Sequence, residues 1–225
     1  MTIRCFEFGV HCSGFPIDEQ FGLRSEKCCV QVAIQDVLTR HRIQIRGFQK
    51  IFIDFESRTD GGLRIVCDAL GVYWIAWPFN CGEYFSAEPD QRIRLLGMTC
   101  VAAIQELFRV QQLPTELLDQ ALTEVRNANF LAEVILGKKL RSPDKRRWAC
   151  LSYKVTLKEC TVYIAVTERA GKVLLKDIVT TQRPIFGVTL TRSDAVIEWI
   201  SDDVVQVTLK VSHKETIVKQ FVVSG

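Results

Sequence analysis

Hydrophobic residues follow two different periods along this chain of 225 residues. Through the middle of the chain they recur every three or four positions, as on one face of a helix. Beyond the segment from Arg141 to Arg147 they alternate with polar residues up to the C-terminus, as in strands that are buried on one face. This change of period predicts a boundary between a mixed module and an all-strand module.

The N-terminal part of the chain predicts strands around a single helix. Apolar residues recur at helical intervals over residues 26–40, directly after Ser25, a residue type that caps helices. Alternation predicts a strand at residues 51–56, and Thr59-Asp60-Gly61-Gly62 supplies turn residues after it. Together with strands at residues 63–69 and 72–79, this pattern predicts an antiparallel meander, which follows a first strand at residues 2–10 and the helix.

The middle of the chain contains the clearest helical pattern. From Ile93 to Phe108, apolar residues follow the i, i+3, i+4, i+7 rule. Thr115 is expected to cap a second helix. A last apolar turn over residues 130–135, closed by Gly137, predicts a third and shorter helical segment.

Beyond the basic segment the period is two. Turn residues such as Ala170-Gly171, Ser201-Asp202-Asp203 and Ser212-His213 separate the alternating stretches. Those stretches cover residues 151–157, 160–166, 195–199 and 205–211. Several short antiparallel strands with such turns between them are typical of a small sandwich or meander.

These patterns predict an α+β protein built from two modules. Residues 1–140 are expected to form an N-terminal antiparallel meander with a helical layer of two to three helices. Residues 141–225 are expected to form an all-β module, a sandwich or meander of six to seven short antiparallel strands.

Composition is that of an ordinary globular protein. The chain is 48% hydrophobic and 24% charged, which supports a sizeable core and excludes whole-chain disorder. The net charge of +3 is too small to indicate a nucleic-acid or membrane partner by itself. The longest uncharged run, residues 69–82, is shorter than the roughly 20 residues that span a bilayer, so we expect no membrane association.

Cysteine usage indicates the compartment. The nine cysteines are scattered without the density or spacing of a disulfide framework. Several occupy apolar positions, where a thiol behaves as a small hydrophobe. The first residues carry Arg4 and Glu7 and no continuous apolar stretch, so no secretory signal is predicted. We therefore expect thiols in a reducing, cytoplasmic setting.

Two carboxylates lie two residues apart on one predicted strand. The stretch Ile51-Phe52-Ile53-Asp54-Phe55-Glu56-Ser57 resembles the first motif of DEDD-type 3′–5′ exonucleases, in which such a pair shares divalent metals. Asp54 and Glu56 would point to one side of the strand and offer the oxygen ligands that hard cations prefer. The resemblance implies a divergent metal-dependent nuclease. The alternative, which we favour, is that Asp54, Glu56 and Arg64 lie on a solvent face where opposite charges pair.

Residue types for other catalytic or metal sites are scarce. The histidines are His11, His41 and His213. Adjacent Cys28-Cys29 does not match the ligand spacing of structural zinc sites. We therefore expect neither a catalytic residue nor a cofactor.

A cluster of cations lies at the predicted boundary between the modules. It could bind phosphates or an acidic patch on a protein partner. Alternatively it is a solvated linker whose lysines complement the negative end of the preceding helix. Interleaved aromatic residues, typical of grooves for single-stranded nucleic acid, are not part of the cluster. The basic cluster consists of Lys138, Lys139, Arg141, Lys145, Arg146 and Arg147.

The richest aromatic stretch is the predicted strand after Gly71. Alternation sends Trp74 to one face and Tyr73 and Trp77 to the other. At least one large aromatic then faces away from the helices unless both faces are covered. Trp77 is a candidate anchor for a protein partner, and the alternative is a place in the core.

We expect a non-catalytic cytoplasmic protein that binds another protein, because polar side chains fall at solvent-facing positions and residues of catalytic types do not cluster. Small inhibitors, including the immunity proteins that neutralise bacterial toxins, share this general profile. The partner is expected to be acidic if the basic cluster takes part. Two alternatives stay open: a metal-dependent nuclease using Asp54 and Glu56, and a nucleic-acid-associated protein using residues 138–147.

Overall fold

The computed structural model describes residues 2–11, 17–58, 61–156, 158–182, 194–210 and 215–223, with the backbone alone for residue 11 and residues 17–25. These residues contain four helices and eleven strands in three sheets, which confirms the predicted α+β class. The chain divides into two compact units, Met1–Ala132 and Glu133–Gly225. The predicted turn residues Thr59, Asp60, Ser212 and His213, and the predicted strand ends Leu157 and Val211, lie outside the described residues.

The first unit contains one mixed sheet and the helices. Its elements are β1 (Cys5–His11), α1 (Ile17–Arg40), β2 (Lys50–Glu56), β3 (Arg64–Ala69), β4 (Val72–Pro78), α2 (Cys81–Ser86), α3 (Pro89–Val110) and α4 (Glu116–Asn127). The strand order is β1-β2-β4-β3. β1 and β4 both run parallel to β2, with Ile53 of β2 opposite Phe8 on one side and Ile75 on the other.

This pairing corrects the predicted antiparallel meander, which holds for β3 and β4 alone among the pairs described in this sheet. α1 connects β1 to β2, and a crossover of this length brings the chain back in the same direction. β3 then takes the sheet edge, so β4 lies between β2 and β3 and runs parallel to β2. The β1–β2 pair is parallel because of the α1 crossover, and the β2–β4 pair because β3 lies at the edge. Strand alternation reveals neither cause.

The core of the first unit lies between the sheet and the helices. Phe8, Ile53 and Phe55 are fully buried on the face that α1 covers, and the Lys27 ammonium of α1 lies 5.5 Å from the centroid of the Phe8 ring. In α3, the predicted apolar face from Ile93 to Phe108 is buried, as the helical period requires.

The second unit consists of seven described strands in two antiparallel sheets. They are β5 (Glu133–Arg141), β6 (Arg147–Val155), β7 (Cys160–Glu168), β8 (Val173–Gln182), β9 (Ala195–Trp199), β10 (Val204–Lys210) and β11 (Thr216–Val222). The sheet orders are β5-β6-β7-β8 and β11-β10-β9. The two sheets meet through side chain to backbone bonds, since Trp199 Nε1 donates to the Leu140 carbonyl at 3.3 Å and Lys219 Nζ to the Ile178 carbonyl at 3.0 Å.

The predicted helical turn over residues 130–135 is wrong, because residues 130–132 are not helical and strand β5 begins at Glu133. Asn129 and Phe130 adopt positive φ angles of 51° and 57°, which end the preceding helix. The chain then extends and pairs Leu136 with Leu151. Gly137, at a φ of 77°, lies in the irregularity that follows rather than at a helix end. The apolar spacing is too short to distinguish strand from helix.

The cysteines are not uniform. Cys5, Cys28, Cys67, Cys100 and Cys150 are free thiols, as expected. Cys81, the first residue of α2, takes part in a disulfide bond, which departs from the expectation of thiols throughout. Among the described helices, none combines the length and apolarity that a membrane crossing requires.

Candidate partner-binding surface

The basic cluster lies on the hairpin of β5 and β6. Lys138, Lys139 and Arg141 are in β5, Lys145 and Arg146 are in the turn, and Arg147 begins β6. The segment is therefore an ordered hairpin within the second unit rather than a solvated linker.

Local hydrogen bonds fix the shape of the turn. The Ser142 hydroxyl donates to Asp144 Oδ1 and accepts from the Arg147 amide at 3.0 Å. Asp144 Oδ1 also accepts from the Arg146 amide at 3.0 Å. The Ser142 hydroxyl, followed by this amide, lowers the pKa of Asp144, so its carboxylate stays ionised and keeps the turn closed.

Arg147 is structural rather than available to a partner. Its side chain is 15% exposed and forms an ion pair with Asp203. Its Nη1 also donates to the Asp202 carbonyl at 3.1 Å, and Asp202 Oδ1 accepts from the Asp144 amide at 2.9 Å. These bonds tie the β5–β6 turn to the β9–β10 turn.

The other five cations of the cluster are exposed, and none of them forms an ion pair with a carboxylate in the part of the chain that the structure describes. We call them the hairpin cations: Lys138, Lys139, Arg141, Lys145 and Arg146.

Trp148 belongs to the same surface, although sequence reasoning left it out. Strand pairing places Arg141 opposite Trp148, and Trp148 opposite Thr167 of β7. The Arg141 guanidinium lies 5.4 Å from the centroid of the Trp148 ring, a cation–π contact. The signal was present in the sequence, because alternation from buried Ala149 puts Trp148 on the opposite, outer face.

Further along the same outer face the charges are already paired. Glu133 accepts from the Ser152 hydroxyl at 2.6 Å and from Lys176 Nζ at 3.2 Å. The Ser152 hydroxyl, with Lys176 after it, lowers the pKa of Glu133. Lys176 also covers the Tyr163 ring at 5.2 Å. The hairpin cations lie at the other end of this sheet.

The proposed metal ligands lie in a different environment. Glu56 forms ion pairs with Arg58, at 2.9 Å between Nε and Oε2, and with Arg64. Asp54 is on the same strand face, two residues away. Within the described ranges, no group of three or more His, Cys, Asp or Glu side chains surrounds a possible metal position. Glu56 could bind a metal only by giving up two guanidinium partners.

Trp77, the predicted anchor for a partner, is less exposed than Trp74 on the same strand. Trp77 is half-buried opposite Phe55, on the face that the helices cover. Trp74 is 40% exposed on the other face and meets the Phe52 ring edge-on, at 5.7 Å between centroids. The predicted placement of Trp74 and Trp77 on opposite faces is confirmed. Trp74, and not Trp77, is the exposed one.

Comparison of the chain with protein-family models, curated proteins and solved structures finds no match. Function therefore has to be inferred from the residues of these surfaces.

Proposed function

We propose that this chain is a non-catalytic protein-binding protein of the inhibitor type, comparable in kind to immunity proteins, and that it binds an acidic surface of its partner. The observation that carries the proposal is the set of exposed hairpin cations without carboxylate partners among the described residues. Trp77, which is half-buried, is a secondary contact in this proposal.

Unpaired cations on one hairpin repel each other, and this repulsion is relieved when a complementary negative surface approaches. Such complementarity also steers the encounter and raises the association rate. Arg141, whose guanidinium stacks on Trp148, adds the arginine and aromatic combination that is enriched at binding hot spots.

The hairpin is also preorganised for binding. Arg147 bonds to Asp203 and to the Asp202 carbonyl, so the turn that carries Lys145 and Arg146 is held before any partner arrives. A surface that is already fixed loses less conformational entropy on association. This arrangement supports recognition of a protein surface by a rigid element.

Three paired carboxylates of the first unit support a non-catalytic role. Glu56 is paired with two arginines, and Glu7 with Lys50 at 2.9 Å. Glu124 accepts from Arg40 at 2.6 Å and contacts His41 at 2.9 Å. Acids that are neutralised in this way are poorly prepared to bind a metal or to transfer a proton.

We also propose that the protein acts in the cytoplasm. The exposed free thiol of Cys67 supports this, because such thiols persist in reducing compartments, whereas the disulfide-bonded Cys81 is unusual there. Alkylation in intact cells followed by mass spectrometry is expected to label Cys67. Recovery of Cys67 as a mixed disulfide would contradict a reducing compartment.

A nucleic-acid-associated protein is the second candidate, and Trp148 is the observation that favours it. Strand pairing brings this aromatic ring among the hairpin cations, as in grooves where bases stack. Binding of a single-stranded oligonucleotide would then weaken steeply with salt, because each neutralised phosphate releases counterions.

The test compares two triple variants in quantitative affinity capture. The hairpin variant carries Lys138→Gln, Lys145→Asn and Arg146→Gln. Asparagine is chosen because Lys145 has a φ of 64°, which asparagine tolerates. The control variant removes three exposed cations elsewhere in the same unit: Lys158→Gln, Lys172→Gln and Lys210→Gln.

Capture is carried out in parallel from untreated lysate and from lysate treated with nuclease. We expect an acidic protein to be retained by the wild type and the control variant, and its affinity for the hairpin variant to fall at least tenfold. Equal retention by all three proteins would reject the proposed surface. Loss of binding after nuclease treatment would favour the second candidate.

A further inference from the structure

A small pocket opens on the outer face of sheet β5-β6-β7-β8, beside the basic cluster. Its volume is about 200 Å³. Its lining residues are Lys139, Trp148, Thr167, Glu168, Arg169 and Gly171.

The pocket is built by strand register and a tight turn. Trp148 of β6 lies opposite Thr167 of β7, which places an indole and a hydroxyl side by side on the outer face. The β7–β8 turn closes one end, where the Gly171 amide donates to the Glu168 carbonyl at 3.0 Å. Gly171 has a φ of 90°, a conformation that favours glycine, so the turn can be this tight.

Positive charge dominates the pocket. Lys139 and Arg169 are both among its lining residues, and Arg141 stacks on the Trp148 ring beside them. Glu168 is the acid in the lining, and its Oε1 lies 4.0 Å from Lys172 Nζ. Glu168 pairs in register with Arg147, so alternation directs its side chain to the face opposite Thr167.

We infer that this pocket is an anion subsite that receives one carboxylate side chain from the acidic partner. This inference rests on the proposed function and names the residue class that the partner inserts. Lys139 and Arg169 supply charge-assisted hydrogen bonds, the Thr167 hydroxyl supplies a third donor, and Trp148 forms the apolar wall. The expected occupant is a carboxylate rather than a phosphoryl group, because an acidic protein surface supplies carboxylates and a glutamate side chain also brings methylene groups against the Trp148 wall.

The experiment follows the Trp148 indole N–H in two-dimensional NMR spectra of the full chain. The probes are a capped tri-glutamate peptide, the matching tri-glutamine peptide and inorganic phosphate, all at constant ionic strength. The tri-glutamate peptide is expected to shift the indole signal in a saturable way. The tri-glutamine peptide is expected to leave the signal in place, and phosphate to bind at least tenfold more weakly than tri-glutamate.

Two double variants assign the signal to the pocket. Lys139→Gln with Arg169→Gln is expected to weaken tri-glutamate binding at least tenfold, whereas Lys158→Gln with Lys210→Gln is expected to leave it unchanged. The dispersion of each spectrum confirms folding. In addition, Lys139→Arg is expected to retain binding, because a cation stays in place.

Three results would overturn the inference: no saturable shift, equal shifts with tri-glutamine, or tighter binding of phosphate. The proposed function is tested separately, because the hairpin variant leaves Lys139 and Arg169 intact. Capture that depends on the hairpin cations, without a tri-glutamate response at Trp148, would reject the subsite and keep the proposed function. A tri-glutamate response at Trp148 without capture of any acidic protein would keep the subsite and reject the proposed function.

Discussion

Glu26 in α1 is a buried acid whose ionisation should weaken the fold. Its side chain is 3% exposed, and its Oε2 has no hydrogen-bond partner in the described part of the chain. Burial raises the pKa of Glu26 to about 7, although the charge of Arg92 acts in the opposite direction. Replacement by the neutral isostere, Glu26→Gln, removes this charge and keeps the shape of the side chain.

The size of the effect follows from the pKa difference. The ordinary value of 4.5 and the folded value of about 7 differ by roughly 2.5 units, worth about 3 kcal/mol at 1.36 kcal/mol per unit. Since the folded protein holds this proton more tightly, its stability is greatest below pH 4.5 and falls as the pH rises through 7. Glu26→Gln is therefore expected to match the wild type at low pH and to exceed its stability above pH 7 by up to about 3 kcal/mol.

Urea unfolding at pH values from 4.5 to 8 measures this difference, and the ¹³C shift of the Glu26 carboxyl gives its pKa directly. The matched control is Glu88→Gln, because Glu88 is exposed in the same unit. Its stability is expected to follow that of the wild type within about 0.5 kcal/mol at every pH. Parallel pH profiles for the wild type and Glu26→Gln, or a carboxyl that titrates near 4.5, would refute the reasoning.

Two further predictions concern packing and the hairpin. A Cβ at Gly97 would lie 2.4 Å from the Phe130 ring, so Gly97→Ala is expected to cost roughly 1–3 kcal/mol in urea unfolding. A Cβ at Gly62 would have no neighbour within 4 Å, so Gly62→Ala is expected to cost far less. Equal losses of stability for the two variants would contradict the packing of Gly97 against Phe130. Arg147→Ala is expected to destabilise the second unit by roughly 1–2 kcal/mol, whereas the exposed Arg146→Gln changes it by less than about 0.5 kcal/mol in calorimetry. Similar losses for both arginines would contradict the structural role of Arg147.

Local periodicity predicted the helices and strands that bury only one face. α3 follows the helical rule because one face packs on the core, and Ala149, Leu151 and Tyr153 alternate with outward residues because one face of β6 is covered. In such elements each residue reports directly on the face it occupies. For that reason the α+β class and most strands of the second unit could be predicted.

Strand pairing could not be predicted in the same way, because it depends on residues far apart in sequence. Ile53 lies between Phe8 and Ile75, and nothing in the local pattern of β2 specifies these neighbours. The segment from Glu133 to Arg141 was ambiguous for a different reason. Its apolar positions fit either period, and pairing with β6 decides in favour of a strand.

The candidate surface was predicted in part. The cluster of cations was visible in the sequence. The sequence did not show that, among the described residues, Arg147 is paired while the other five are not, because the ion pair of Arg147 with Asp203 joins two turns far apart in the chain. Trp148 could have been found from alternation alone. Glu26 could not, because its burial depends on how α1 packs, and its helix position alone does not reveal this.

The most direct test of the proposed function is the affinity of one purified acidic partner for the wild type, the hairpin variant and the control variant. Isothermal titration calorimetry without nucleic acid measures all three under the same buffer and salt conditions. We predict that removal of Lys138, Lys145 and Arg146 weakens binding at least tenfold, while removal of Lys158, Lys172 and Lys210 changes it less than threefold. Equal weakening by both sets would show that net charge, and not the β5–β6 hairpin, determines binding.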